Sequence, residues 1–555
     1  MRLFALLSTA GTLALALSAA ASAPTQTPPG KGEGCHAGGA VPAASTKPDE
    51  TPGLLAHLGS GGYAAEGVSD AARPYFEQGV RLFHTFDAPN AIRSFKEAQA
   101  RQPDCAMCFW GEAWARGPTI NYPVDAKGEG LARTAALKAQ SLQKGLSDKA
   151  RRLIAAQVAR YPATPRKGDA ASDDQTYADV MEMLSQRFPD DYAVVVETAS
   201  ALLIASGKAW GEGAYTAESP SGRARANLER VLARSPDFTP AIHYYIHLME
   251  WSHAPDNAAP YAERMAKLAP DAGHLIHMPS HLWFRMGRYD DGARANIAAA
   301  RADDVTARVL KVDGGAAKVA LHGHNLSFGL GSAMMSGNGA ESRLLARRVL
   351  AEYPDDSRGV LVKGYQAFAR EAPLADTLAL SEPKAVMNKA AWRYARGLAQ
   401  AWAGNGAAAQ AESDALKALK LDAKAEKKER DGKALMQAEL DGRIALAQGR
   451  LKDAIPLLRR AATLRDSFDT SLDPPFWAWS PRRALGVALL QSGDAKAAAR
   501  ELDAVVKRYP GDPLTLFALA EARRKAGDGS GADKALTAAK AGWKGGAEGL
   551  TLARA

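Results

Sequence analysis

ARPYFEQGVRLFHTFDAPNAIRSFKEAQARQPD, residues 72–104, decides the fold. It reads as a helix, a short turn and a second helix, closed by Pro103-Asp104. Proline ends a helix because it lacks the amide hydrogen, and the Asp side chain can cap the next one. The small and aromatic positions Gly79, Ala91, Phe95 and Ala98 let two antiparallel helices approach closely. Working outward, Pro-Asp recurs at 103–104, 189–190, 236–237, 270–271 and 354–355. Pro510 does the same in RYPGD. From Pro236 to Pro270 is 34 residues, the length of one helix–turn–helix repeat unit. Residues 481–512 show the same order of small and large positions, as do 387–421 and, more loosely, 435–464.

These motifs resemble the tetratricopeptide repeat over most of the chain. The resemblance implies an all-α solenoid of antiparallel helix pairs with one concave groove, stacked so that neighbours bury a continuous core. Four strings also resemble a group of exported bacterial tetratricopeptide proteins: CAMCFWGEAWARGPTIN, HLIHMPSH, GHN and DPPFWAWSPRRALGVALL. That group implies fold and export, and leaves activity open. Segments 117–175 and 205–222 are less regular. The first reads as a loop, GPTINYPVDAKGEG, followed by non-consensus helices, and the second as a Gly-rich excursion.

Composition agrees with a helical array. Of 555 residues, 46% are hydrophobic, 24% charged and only 7% aromatic. Alanine is abundant and is the best helix former. The net charge of +9 is spread along the helices without aromatic interleaving, so nucleic acid is not an expected partner. The start, MRLFALLSTAGTLALALSAAASAPTQ, reads as a secretory signal over 1–23, with cleavage after Ala21 or Ala23. An uncleaved anchor is the alternative, because the run is near spanning length. No later stretch is apolar enough to span, so the expected location is periplasmic or secreted. Residues 24–65 read as a flexible Pro/Gly-rich linker, 66–370 as an N-terminal helical region and 371–555 as a C-terminal repeat region. Cys105 and Cys108 admit a local disulfide, buried thiols or a redox role, and Cys35 is left over.

Histidine is the informative residue. There are 11, and eight lie between 243 and 324. His243 to His277 is 34 residues, and so is His247 to His281, so each pair occupies equivalent positions in consecutive repeats. At about 100° per residue, His243, His247 and Glu250 share one helix face. His274, His277 and His281 do the same unless Pro279 restarts the helix. In the tetratricopeptide frame these positions line the groove, and His324 opens a later first helix beside Asn325.

Imidazole binds Zn, Cu, Fe and Ni readily. The expected metal ligands are His243, His247, Glu250, His274, His277, His281 and His324, and the expected ion is Cu, Zn or Fe. A metal site predicts three or more ring nitrogens within about 4–5 Å of one another. The rival readings are packing or hydrogen-bonded histidines, and direct contact with an anionic or aromatic ligand. His84, His253 and His322 read as structural, Glu112 as an exposed acid, and Arg285 and Arg288 as surface pairs of Asp290 and Asp291. Trp477 and Trp479 read as a core cap. Three functions follow. The first is an exported binding protein that holds a metal or a metal-bearing partner. The second is a plain scaffold that takes a protein or peptide in its groove. The third is a metal-dependent enzyme that activates water or dioxygen.

Overall fold

The computed structural model describes residues 50–162, 171–207, 216–354, 360–468, 474, 477–546 and 549–555. The signal reading over 1–23, Cys35 and most of the linker reading fall outside them. Among the described residues every regular element is a helix. None of these helices is long and apolar enough to cross a membrane.

The quoted stretch folds into the helices Arg73–His84 and Ala88–Arg101. Each has a proline in its first turn, where the missing amide hydrogen has no helical acceptor to lose. Asp87 caps the second helix, accepting from the Asn90 amide at 3.3 Å. Far along the chain, Pro481–Gln491 and Ala495–Arg508 repeat the design, with Asp494 accepting from the Ala497 amide at 2.9 Å. One glycine per hairpin sets the helix separation. A Cβ at Gly79 would sit 2.8 Å from Phe95, one at Gly442 would sit 2.8 Å from Leu458, and one at Gly486 would sit 2.6 Å from Leu502. Each glycine lies sixteen residues before its large partner. No side chain fits at such a crossing without prising the two helices apart.

The hairpins stack into a continuous apolar interior, and the C-terminal repeats turn back on the middle of the chain. Tyr289 Oη donates to the Pro510 carbonyl at 2.8 Å. The Lys544 amide donates to the Ser336 carbonyl at 3.0 Å, and Arg554 pairs with Glu371 at 2.7 Å. Trp477 and Trp479 are buried, as expected of a cap. Cys105 and Cys108 are joined as a disulfide.

The linker reading needs correction at its end. Residues 50–65 form no helix, yet they lie across the repeats as a strap. Leu55, Leu58 and Tyr63 are buried in the main core. The Gly53 amide donates to the Val309 carbonyl at 3.1 Å. The His57 amide donates to Asp271 at 2.9 Å, and the Ser60 amide to Thr239 at 2.8 Å. Composition suggested a linker because Gly and Pro dominate. Its backbone donors nevertheless find partners from Gln78 to Val309, and Tyr63 packs against Trp110 and Trp114.

Candidate metal centre

His243 and His247 stand one turn apart on Thr239–Met249, and Glu250 follows directly as its C-cap. Pro279 does break the next helix. His274 and His277 lie on Gly273–His277, and His281 lies on Pro279–Arg285. Met278 between them keeps helical angles, so the three rings still project to one side. His324 comes from the first turn of His322–Ser336.

These elements gather the imidazoles into two triads. One ring nitrogen from each of His243, His247 and His274 falls within 4.8 Å of the others, and the same holds for His277, His281 and His324. Five of the six are buried, and His324 is half-buried. The triads adjoin. The His274 and His277 rings stack with centroids 5.6 Å apart, and the His247 and His281 rings are 6.2 Å apart. Phe86 packs on all three rings of the first triad, at 4.4 to 5.5 Å. Phe328 packs on all three of the second, at 4.6 to 5.9 Å.

The outer nitrogens fix where the protons are. His243 Nδ1 lies 2.7 Å from the His84 carbonyl oxygen. His277 Nδ1 lies 2.6 Å from Asn296 Oδ1, and Asn296 Nδ2 donates to the Gly292 carbonyl at 2.8 Å, which sets the amide's orientation. His281 Nδ1 lies 2.6 Å from Glu250 Oε2. Carbonyl and carboxylate oxygens only accept, so each of these Nδ1 atoms carries a proton, and in the neutral ring Nε2 is the atom that presents a lone pair. The Nε2 atoms of His277 and His281 are 2.8 Å apart, His277 and His324 3.2 Å, and His243 and His247 3.2 Å. At 2.8 Å the two Nε2 atoms are close enough to share one cation. Burial first, and the neighbouring imidazoles after it, push His277 well below its ordinary value. The same causes lower His243 and His274. His274 has no hydrogen-bond partner for either ring nitrogen, although it is only 4% exposed.

Glu250 is reassigned. It lies on the Nδ1 side of the rings, 2.6 Å from His281 and 3.4 Å from His247, and so grips one imidazole from each triad without joining either. Burial alone would raise its carboxyl. His281, and His247 after it, outweigh burial and hold it below the usual carboxylate range. Arg285 donates to the Glu250 carbonyl and secures the end of that helix. The groove-lining expectation is also revised at this point, because five of the six rings and Glu250 are buried, with Phe86 packed over the first triad.

Of the remaining candidates, Glu112 is largely buried and pairs with Arg116 at 2.8 Å. Arg288 pairs with Asp291 and Glu263. His322 bonds Asp303 and Glu352 at 2.7 and 2.9 Å, as a structural residue should. His84 lends its carbonyl to His243, yet both nitrogens of its own ring are unpartnered. Sequence reasoning missed Asn296, Phe86 and Phe328. Asn296 left one signal, a single amide in the alanine-rich run GARANIAAARA.

No curated protein matches the chain in sequence. Among solved structures, the human IFIT1 dimer with m7Gppp-AAAA is similar over 85% of this chain and 91% of its own, at 11% identity and a TM-score of 0.30. Yeast Tom70 is similar over 85% and 90%, at 12% identity and 0.28. Naa15/Naa10 bound to HypK-THB is similar over 87% and 90%, at 14% identity and 0.24. At these scores the likeness is that of long helical arrays in general. Residues 479–543 match the family described as tetratricopeptide repeat. That match assigns the tetratricopeptide repeat to the C-terminal hairpins of the chain.

Proposed function

We propose that this is an exported repeat protein whose histidine triads hold transition-metal ions. One observation carries the reading: in each triad a ring nitrogen from every histidine lies within 4.8 Å of the others, and the His277 and His281 Nε2 atoms face each other at 2.8 Å. An ion about 2.1 Å from each nitrogen would bond both. The outer acceptors on His243, His277 and His281 are the carbonyl and carboxylate partners that orient metal-binding imidazoles. Three nitrogens per triad leave a coordination position for a further ligand. The 34-residue duplication of His243 and His247 as His277 and His281 supports the same reading. A second role rests on the match over 479–543. Those hairpins would offer their exposed surface to another protein or peptide.

The test is elemental analysis of the mature chain beside the His277→Ala/His281→Ala double variant. Bound metal in the native chain, reduced in the variant with helicity unchanged, is the expected result. A native chain that stays metal-free after incubation with Cu, Zn and Fe ends the reading.

A further inference from the structure

We infer that Arg370, Arg443, Arg483 and Arg554 form a binding site for one small tetrahedral oxyanion, phosphate or sulfate, that shares no residue with the histidine triads.

Contacts bring the four guanidiniums together. Arg370 lies on Val360–Glu371, Arg443 on Lys427–Ala447 and Arg483 on Pro481–Gln491. Trp402 touches the first two, with its ring centroid 5.4 Å from the Arg370 guanidinium and 5.6 Å from that of Arg443. Trp479 packs on Arg370 at 4.8 Å. Glu371 joins Arg370, at 3.8 Å, to Arg554, at 2.7 Å. Ala555, next in the chain, accepts from Arg483 Nε at 3.0 Å. The side chains of Arg370, Arg443 and Arg483 are at most 5% exposed.

Three of the four arginines hydrogen-bond a carboxylate, and Arg370 does not. Asp512 accepts from Arg483 at 3.1 Å and Glu439 from Arg443 at 3.0 Å, while both Glu371 oxygens accept from Arg554. At 3.8 Å from Arg370 Nε, Glu371 is beyond hydrogen-bond reach of it. Neither Nη atom of Arg370 finds an acceptor among the described residues. Arg443 Nη2, Arg483 Nη2, Arg554 Nε and the Trp479 indole nitrogen find none either. Burial first, then Arg483, push Arg370 below its ordinary value; Glu371 opposes, and Arg443 and Arg554 push further. Arginine nevertheless keeps its proton in a protein. A buried cation with unmet donors costs free energy that an anion offsets.

Donor geometry selects the anion. The paired terminal nitrogens of a guanidinium bind two oxygens of a carboxylate or phosphate at once. Arg370 takes two oxygens in this way. The donors left on Arg443, Arg483, Arg554 and Trp479 call for more oxygens than a carboxylate has, and a tetrahedral oxyanion has four. Enclosure sets the size. Entry is past Arg554, whose side chain is one-third exposed and held by Glu371. A free ion can pass there, and a phosphorylated macromolecule cannot.

The experiment uses the full chain, stripped of metal with a chelator so that no ion at the triads binds the probe. Phosphate carried through purification is counted by assay after denaturation, so a filled site is not scored as an absent one. Inorganic phosphate is then titrated calorimetrically into the phosphate-free chain, followed by sulfate and acetate. One phosphate per chain is expected, with sulfate competing and acetate at least about tenfold weaker. Arg370→Gln should weaken phosphate binding about 10- to 100-fold with helicity unchanged. Should that variant fold poorly, Arg554→Gln replaces it. It removes one donor and frees Glu371 to take the Arg370 nitrogens, so binding should fall by a similar factor. A chain that neither carries nor binds phosphate would overturn the site. Binding that neither variant weakens would overturn it as well, and so would acetate that binds as tightly as phosphate. None of these outcomes bears on metal binding by the triads.

Discussion

The regions 66–370 and 371–555 are packed by one rule and filled with different chemistry. Gly79 against Phe95 and Gly486 against Leu502 are the same crossing. The N-terminal region nevertheless gathers six imidazoles, five of them buried, and buries Glu197, while the C-terminal region contains no histidine at all. Glu439, one of its buried carboxylates, is fully engaged. Tyr394 and Trp477 donate to one oxygen at 2.9 and 2.6 Å, and Arg443 donates to the other at 3.0 Å. A repeat scaffold tolerates this divergence because each hairpin answers only to its neighbours. Helix separation is set by glycine and its large partner, which leaves the remaining inner positions open to polar chemistry.

The largest test of the contrast substitutes one carboxylate in each region. Glu197 accepts from Tyr177 at 2.9 Å, and its other oxygen has no partner. Burial pushes its pKa up to about 7, with Arg160, Trp114 and Tyr177 opposing. The folded value therefore lies above the unfolded one, and the fold favours the protonated acid. The resulting stability is fully present below the unfolded value and is lost as pH rises through about 7. The loss is on the order of 3 kcal/mol. Glu197→Gln should remove that decline, so that denaturant midpoints at pH 8 favour the variant. Glu439→Gln should do the reverse at every pH. It strands Arg443, whose side chain is 5% exposed, at a cost of about 3 kcal/mol. If both substitutions moved stability in the same direction, the interiors would not differ as described.

The next test stays within the N-terminal region. Asn296 touches the triads through His277 alone. Asn296→Leu removes the acceptor on His277 Nδ1 and frees the ring's tautomer. Metal affinity, read by competition with a chelating dye, should fall about 10- to 100-fold with helicity unchanged. An unchanged affinity would mean that packing against Phe328 orients His277 without the amide.

This residue also marks the limit of what sequence reading could reach. The helical hairpins were legible because their glycine, alanine and proline positions repeat within a few dozen residues. The histidines were legible because 34 residues separate equivalent positions, which aligns faces without knowledge of the tertiary path. Asn296, the His84 carbonyl and Phe86 were not: Asn296 stands on the second helix of its hairpin, at a position that no histidine spacing marks, and the other two come from outside the two histidine hairpins. The strap was misread because its partners, from Gln78 to Val309, lie outside a segment whose own composition signals a linker. Glu250 was placed on the correct helix face, but spacing alone does not say which ring nitrogen a carboxylate will meet.

The smallest expected effect separates local from global stabilisation. Asn338 caps Gly339–Glu352, and Asp494 caps Ala495–Arg508, each through a backbone amide three residues on. Replacing either with Ala should cost about 1 kcal/mol. In metal-free protein, hydrogen exchange should therefore quicken about fivefold in the affected helix, and by the same factor in both variants. Metal should break the symmetry. At a thousand times its dissociation constant, a bound ion adds about 4 kcal/mol against any opening that releases it. His324 ties His322–Ser336 to the second triad, and Gly339–Glu352 packs directly on that helix. Slowing of exchange on metal addition should thus reach 339–352 and offset the Asn338→Ala defect. The helix 495–508 carries none of the ligands and meets the surroundings of the second triad through Val505, which packs with Phe328, so it should keep nearly its metal-free rate and leave the Asp494→Ala defect visible. Equal slowing in both helices would show that the turn-back contacts, Tyr289 with Pro510 and Lys544 with Ser336, weld the two regions into one cooperative unit. The difference between the interiors would then be chemical only, and not a difference in how each region unfolds.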